Sequence, residues 1–309
     1  MKQVIVKDLA IIGGGPAGLA AGIYAARADL KTVLFERGMP GGLAASTEII
    51  ENYPGFAEGI GGPELAMSMD AQARRFGLEV EYADVEEIKK SDSHFILKTD
   101  EGEYRTGAII IATGAKPRML QIKGEKEFHG RGVSYCATCD GAFFRGKRLA
   151  VIGGGDSAIE EALFLTKFAE KVTIVHRRGE LRATKYLQHK AMNNDKIDFS
   201  WHSVPVEIVG SETVQGVLLK DVRTGEQQEI PIDGVFVYVG HSPSTELVKD
   251  LADLSDSGYI ITDEEMCTKT PGLFAAGDVR KKTLRQVVTA VADGAIAAVS
   301  AEKYIEKIK

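Results

Sequence analysis

Cysteine is scarce in this chain: there are 3 among 309 residues, and two of them share one C-x-x-C. So few cannot build the disulfide framework of a small secreted domain, and in a reducing compartment such a pair points to redox or metal chemistry. Long apolar runs are missing too. No stretch of about 18 apolar residues occurs, and candidates such as Ala108 to Ala112 have strand length, so a membrane-spanning helix is excluded. Met1 to Asp8 leads straight into an apolar strand without the h-region and cleavage site of a signal peptide, so a cytoplasmic location is expected. Positive charge is not in excess. With 38 Lys+Arg against 44 Asp+Glu, the net charge is −6. Nucleic-acid binding is not expected, because counterion release needs a concentrated basic face. The lysines from Lys303 to Lys309 read as a solvated helix end.

Glycine is abundant. At 34 residues it exceeds the typical share of ~7%, which implies tight turns or close backbone approaches to a ligand. The length suits about two domains. One motif occurs twice. Asp8 to Ile12 reads as a buried strand, followed by Gly13-Gly14-Gly15-Pro16-Ala17-Gly18 and a helical run to Ala28. Arg148 to Ile152 is a second such strand, followed by Gly153-Gly154-Gly155-Asp156-Ser157-Ala158 and a helical run to Phe168. In G-x-G-x-x-G/A the first glycine makes the turn, the second lets backbone approach a pyrophosphate, and the third position packs helix on strand. The helix N-terminus then offers N–H groups and its positive dipole end to phosphate.

The end of the following strand separates the copies. Glu36 stands 23 residues after Gly13, where a carboxylate accepts from the hydroxyls of an unphosphorylated ribose. The same offset from Gly153 gives His176, followed by Arg177 and Arg178, with Arg182 close behind. This basic cluster suits a 2′-phosphate. FAD at the first copy and NADPH at the second is the economical assignment. Two more strands end in turns, at Thr113-Gly114 and at Gly277-Asp278. Asp278 can reach a hydroxyl of a bound flavin nucleotide or cap a following helix. The expected fold is α/β, with two Rossmann-like dinucleotide-binding domains and the NADPH domain inserted into the FAD domain. The expected limits are 1–117 and 245–309 for the FAD domain and 118–244 for the NADPH domain. A strand from Val235 to Gly240 and a final helix from about Arg285 to Ile305 complete the reading.

Cys136 and Cys139 have the spacing of a reversible disulfide and of half a zinc site. No second C-x-x-C or H-x(3 to 5)-H supplies the other zinc ligands, so no metal is expected. Asp140 either carries the proton that accompanies thiol chemistry or serves as a turn residue before Gly141. Cys267, alone in a polar loop, reads as a bystander.

In combination these motifs resemble the low-molecular-weight, bacterial-type thioredoxin reductases, over nearly the whole chain. The resemblance implies a homodimeric flavoprotein in which NADPH reduces FAD, FAD reduces the Cys136–Cys139 disulfide, and the dithiol reduces thioredoxin or a related small dithiol protein. It implies that Cys139 faces the flavin, that Cys136 attacks the partner, and that Asp140 is the acid/base. Positions the family uses around FAD are matched by Gly13, Gly15, Pro16, Ala17 and Gly18, by Glu36, Arg37, Gly41, Gly42, Leu43 and Asn52, and by Thr113, Gly114, Gly277, Asp278, Arg285, Gln286 and Val287. Gly153, Gly155, Asp156, Ser157, His176, Arg177, Arg178 and Arg182 match its NADPH site. The family commonly has Gln where Leu43 stands and often an aromatic where Leu284 stands, which bears on flavin packing. A ferredoxin-linked flavoprotein would not need both the cysteines and the basic cluster. The remaining alternative is a flavoprotein reductase or a flavin-binding redox sensor acting on another dithiol protein partner.

Overall fold

The computed structural model describes residues 4–309. The chain divides into two compact units: one runs to Lys116 and resumes from Ser242 to Lys309, and the other is Pro117–His241.

The discontinuous unit is built on a sheet of seven strands among the described residues. Its spatial order is Glu79–Glu81, Thr32–Phe35, Ile5–Ile12, Glu103–Ile111, Phe95–Thr99 and Val85–Lys90, with Leu273–Ala275 also paired to Glu103–Ile111. Leu9 to Ile12 and Ala108 to Ile111 are covered on both faces, as strands with continuous apolar sequence in a parallel sheet should be. One face carries helices Pro16–Arg27, Gly62–Arg75 and Val287–Ile308. Small residues let two of these helices meet closely: a Cβ on Gly294 would overlap the Ala17 carbonyl. The final helix starts at Val287, two residues later than its sequence suggests, because Gln286 is extended and caps it. Thr289 Oγ1 accepts the Gln286 N–H at 3.2 Å, completing a capping box.

The contiguous unit has a parallel sheet in the order Val133–Ser134, Gly234–Tyr238, Arg148–Gly153, Lys171–His176 and Ile197–Trp201. Helices Asp156–Leu165 and Lys185–Met192 bury Ile159, Leu165 and Leu187 against one face with Leu149, Val151 and Ile174. The other face, through Ile152, Val175 and Val235, meets an antiparallel sheet of Ser203–Gly210, Val214–Asp221 and Gln227–Pro231. In both units the glycine turn follows a central parallel strand, which puts it at the carboxyl edge where open α/β sheets take ligands.

Candidate active site

At the first glycine turn Gly13 adopts φ 107°, and a Cβ there would overlap the Ala112 carbonyl. A Cβ on Gly18 would overlap the Gly13 carbonyl, so strand, turn and helix are in backbone contact. Gly15 is different: the nearest atom to a Cβ there is Gly42 Cα at 3.9 Å, which leaves the backbone open to a ligand. Helix Pro16–Arg27 has Gly15 as its cap, with no side-chain cap bond. Its first-turn N–H groups are therefore left to an incoming acceptor. Glu36 is fixed by two backbone donors, Gly14 N–H at 2.8 Å and Gly38 N–H at 2.9 Å. Gly41 N–H donates to the Gly14 carbonyl at 2.7 Å, which brings Gly41 and Gly42 to the turn, while Arg37 and Leu43 are exposed beside them.

Later segments gather at the same edge. Thr113 lies against Gly13, and a Cβ on Gly277 would stand 2.8 Å from that of Ala17. Thr113 Oγ1 donates to the Ser244 carbonyl at 2.7 Å, and Gly114 follows with φ 63°. Asn52 donates to Gln286 Oε1 at 3.2 Å. Asp278 sits in a short turn, Gly277–Val279, with no side-chain cap bond, and the long helix is capped by Gln286 instead. The cap of the following helix is thus Gln286 and not Asp278. Val287 opens the final helix and is partly buried. The Arg285 guanidinium lies 3.9 Å from the Tyr259 ring centroid, and its Nε is buried without a partner. An orphaned cationic donor, open helix N–H groups and a carboxylate at the strand end together fit an adenine dinucleotide with an unphosphorylated ribose.

The second turn repeats the backbone and changes the chemistry. Gly153 pairs with Tyr238, and Gly155 is again open, with Arg182 Nη2 3.9 Å from a Cβ placed there. Asp156 and Ser157 begin helix Asp156–Leu165. Asp156 accepts the Thr184 N–H at 2.6 Å, and the Gly154 carbonyl accepts from Arg182 N–H at 2.7 Å, so the loop carrying Arg182 is tied to the turn. Arg177, Arg178 and Arg182 are exposed. His176 departs from the expected basic cluster: it is 5% exposed and its ring lies directly beneath Gly154, where a Cβ would be 2.7 Å from its Cγ. Burial, then the charges of Arg182, Arg177 and Arg178, push its pKa below the usual 6.5. His176 is thus a neutral floor for the turn, and the cations are the three arginines.

Cys136 and Cys139 form a disulfide. Cys136 caps the helical turn Ala137–Asp140, with Sγ accepting the Cys139 N–H at 3.2 Å and its own N–H donating to Ser134 Oγ at 3.0 Å. Cys139 is exposed and Cys136 partly buried. Asp140 ends the turn at the cap position of the next one, Gly141–Phe144, and makes no side-chain cap bond to it, so it stands at the turn before Gly141 with no capping role for its carboxylate. Among the described residues no group of His, Cys, Asp or Glu is arranged to hold a metal ion.

Three residues were not found from the sequence. Glu125, 1% exposed, accepts the N–H groups of Leu120 and Gln121 and the hydroxyl of Tyr135 at 2.7, 2.6 and 2.7 Å. Tyr238 accepts the Ala137 N–H at 2.9 Å. Asp293 accepts from Gly277 N–H, Arg280 and Lys282 at 3.0, 2.9 and 2.8 Å. Only Asp293 carried a signal, as an acid within the small-residue stripe of an otherwise apolar helix.

Residues 7–294 match the pyridine nucleotide-disulphide oxidoreductase family. The chain is 49% identical over 310 residues to a thioredoxin reductase of Bacillus subtilis, covering 100% of this chain and 98% of that protein. It is 50% identical over 305 residues to one from Listeria monocytogenes, covering 98% and 95%. Among solved structures, Lactococcus lactis thioredoxin reductase superposes with a TM-score of 0.96 at 51% identity, over 97% of this chain and 99% of that one. The Streptococcus pyogenes thioredoxin reductase gives 0.66 at 50% identity, over 99% and 100%. The chain belongs to the pyridine nucleotide-disulphide oxidoreductase family. Within it, the proteins it resembles along its whole length are bacterial-type thioredoxin reductases.

Proposed function

We propose that the chain catalyses NADPH-dependent reduction of the thioredoxin disulfide, through FAD and the Cys136–Cys139 pair. One observation carries this reading: the unit with the arginine-flanked glycine turn also bears a disulfide within a C-x-x-C. The other unit supplies the turn whose strand-end acid selects an unphosphorylated ribose. FAD, when bound, supplies two-electron exchange with both a nicotinamide and a disulfide.

Gly13, Gly15, Pro16, Ala17 and Gly18 hold its pyrophosphate, Glu36 its adenosine ribose, and Asn52, Asp278, Arg285, Gln286 and Val287 the remainder. Gly153, Gly155, Asp156 and Ser157 hold the pyrophosphate of NADPH, and Arg177, Arg178 and Arg182 its 2′-phosphate. The protein's chemistry lies in the thiols. Cys136 as thiolate attacks one sulfur of the thioredoxin disulfide and the other sulfur leaves as a thiolate. Cys139 then attacks Cys136, restoring the Cys136–Cys139 bond and releasing dithiol thioredoxin. Asp140 moves the proton that each thiol gains or loses. The chain acts as a homodimer in the cytoplasm. Among the described residues no helix is long and apolar enough to cross a membrane.

The disulfide and the NADPH turn belong to one unit and the flavin site to the other. We infer that the inserted unit rotates on its crossings near Pro117 and Ser244, presenting the two groups in alternation. A reversible cross-link locking the units should allow one half-reaction and block the other; full turnover by locked molecules would exclude rotation. The activity itself is tested by NADPH oxidation with purified thioredoxins. Oxidation that leaves every thioredoxin disulfide intact would overturn it.

A further inference from the structure

We propose that Tyr238 is a positioning residue for the redox disulfide, its hydroxyl accepting the Ala137 N–H between the two cysteines and holding the oxidised loop in shape. Tyr238 is the last residue of strand Gly234–Tyr238 and the register partner of Gly153. A Cβ on Gly153 would stand 2.5 Å from the Tyr238 carbonyl, so its backbone is clamped beside the second glycine turn. From that fixed base the phenol reaches the start of the disulfide loop, with 2.9 Å between its oxygen and Ala137 N.

The bond matters because of where Ala137 lies. It is 0% exposed, so water cannot replace a lost acceptor. Its neighbours are satisfied within the loop itself: Cys136 N–H by Ser134 Oγ and Cys139 N–H by Cys136 Sγ. The Ala137 donor is met from a strand far along the chain. Burial, followed by the charges of Glu161 and Asp140, pushes the Tyr238 pKa well above the ordinary phenol value, so the hydroxyl stays neutral and in place. The bond is present with the pair oxidised. Breaking the S–S link frees the loop from the shape in which this bond is made, so on this proposal the bond is weaker in the dithiol. Tyr238 therefore favours the disulfide over the dithiol.

The inference rests on Cys136 and Cys139 being the redox pair, but its test involves no turnover, so the two readings fail separately. Oxidised protein with its flavin bound is equilibrated in dithiothreitol buffers, and protein thiols are trapped with a maleimide and counted by mass. As the Cys136–Cys139 bond breaks, two electrons and two protons pass to the protein, and the two dithiothreitol sulfurs join. Tyr238→Phe, which keeps the ring, should shift the equilibrium constant toward the dithiol by about three- to tenfold; tenfold corresponds to about 30 mV. Tyr135→Phe should shift it less than about twofold, because that hydroxyl donates to Glu125 rather than to the loop backbone. A Tyr238→Phe constant within about twofold of the parent, a shift toward the disulfide, or an equal shift in Tyr135→Phe would overturn the proposal. A measurement without variants gives a second check. The Ala137 amide should exchange slowly with deuterium in the oxidised protein and faster in the reduced one, and equal rates would also overturn it.

Discussion

The two glycine turns share a backbone and differ in what fills the space beneath the second glycine. Under Gly14 sits Glu36, its carboxyl oxygens taking the Gly14 and Gly38 N–H groups. Under Gly154 sits the neutral, buried ring of His176. A carboxylate there would repel a 2′-phosphate; an imidazole floor would not, and on the proposed function recognition falls to Arg177, Arg178 and Arg182 in solvent. On that reading one duplicated scaffold acquires two ligand preferences through one strand-end residue and the loop after it. The units differ in a second way, since only the second bears the C-x-x-C.

The largest effect should come from dividing these tasks. Cys136→Ser or Cys139→Ser should lower thioredoxin reduction by at least about a thousandfold while NADPH still bleaches the flavin, because nucleophilic exchange needs both sulfurs. Stopped-flow absorbance beside a thioredoxin assay checks this, and retained disulfide turnover would show that the contrast between the units is not functional. Next is the nucleotide contrast itself. Arg177→Ala with Arg178→Ala should cut kcat/KM for NADPH by about ten- to a hundredfold and leave NADH within about twofold, since charge-assisted bonds to the 2′-phosphate are lost only from the former. An equal loss for both coenzymes would mean that the arginines serve the fold.

A smaller difference probes the scaffold. The third position of the motif is Gly18 in one turn and Ala158 in the other. Gly18→Ala should destabilise the chain by about 1–3 kcal/mol through overlap with the Gly13 carbonyl, whereas Ala158→Gly should cost only about 0.5–1 kcal/mol through helix propensity. Chemical denaturation of the two variants decides it, and equal losses would mean that the turns are packed alike. The smallest effect concerns protons. Unfolded His176 titrates near 6.5 and the folded group lower, so as pH falls through about 6.5 the unfolded chain takes up a proton that the folded chain refuses. Stability from the neutral imidazole is fully present above that pH and drains away below it. His176→Gln should flatten this part of a melting profile between pH 7 and 5, and an unchanged slope would place the charge elsewhere.

Much of this was legible in the residues, for a physical reason. A buried parallel strand, a glycine turn and a small-residue helix each leave a local imprint, and the Glu36 to His176 contrast lies at a fixed offset from them. What escaped depends on distant partners. His176 followed by two arginines reads as a third cation, because nothing local shows that its ring turns inward under Gly154. Glu125 stands in the charged run Lys123 to Glu127 and looks solvated, yet it is buried to satisfy Leu120, Gln121 and Tyr135. Tyr238 reads as one more strand residue, and its partner Ala137 lies far back in the chain. The Arg285-Gln286 pair was read for its ligand contacts, whereas Gln286 also caps a helix, which moved the helix start.

The discontinuous sheet has a consequence for synthesis. Leu273–Ala275 pairs with Glu103–Ile111, and helix Val287–Ile308 packs on Pro16–Arg27, with the whole inserted unit lying between these partners in the chain. The segment made before the inserted unit therefore belongs to the last unit to close. The inserted unit, being contiguous, can acquire its core while the earlier strands still wait with an unpaired edge and an uncovered helix face, the exposure that invites aggregation. A chain stopped before Leu273 would carry a finished arginine-flanked turn and disulfide loop attached to a flavin unit that lacks its covering helix.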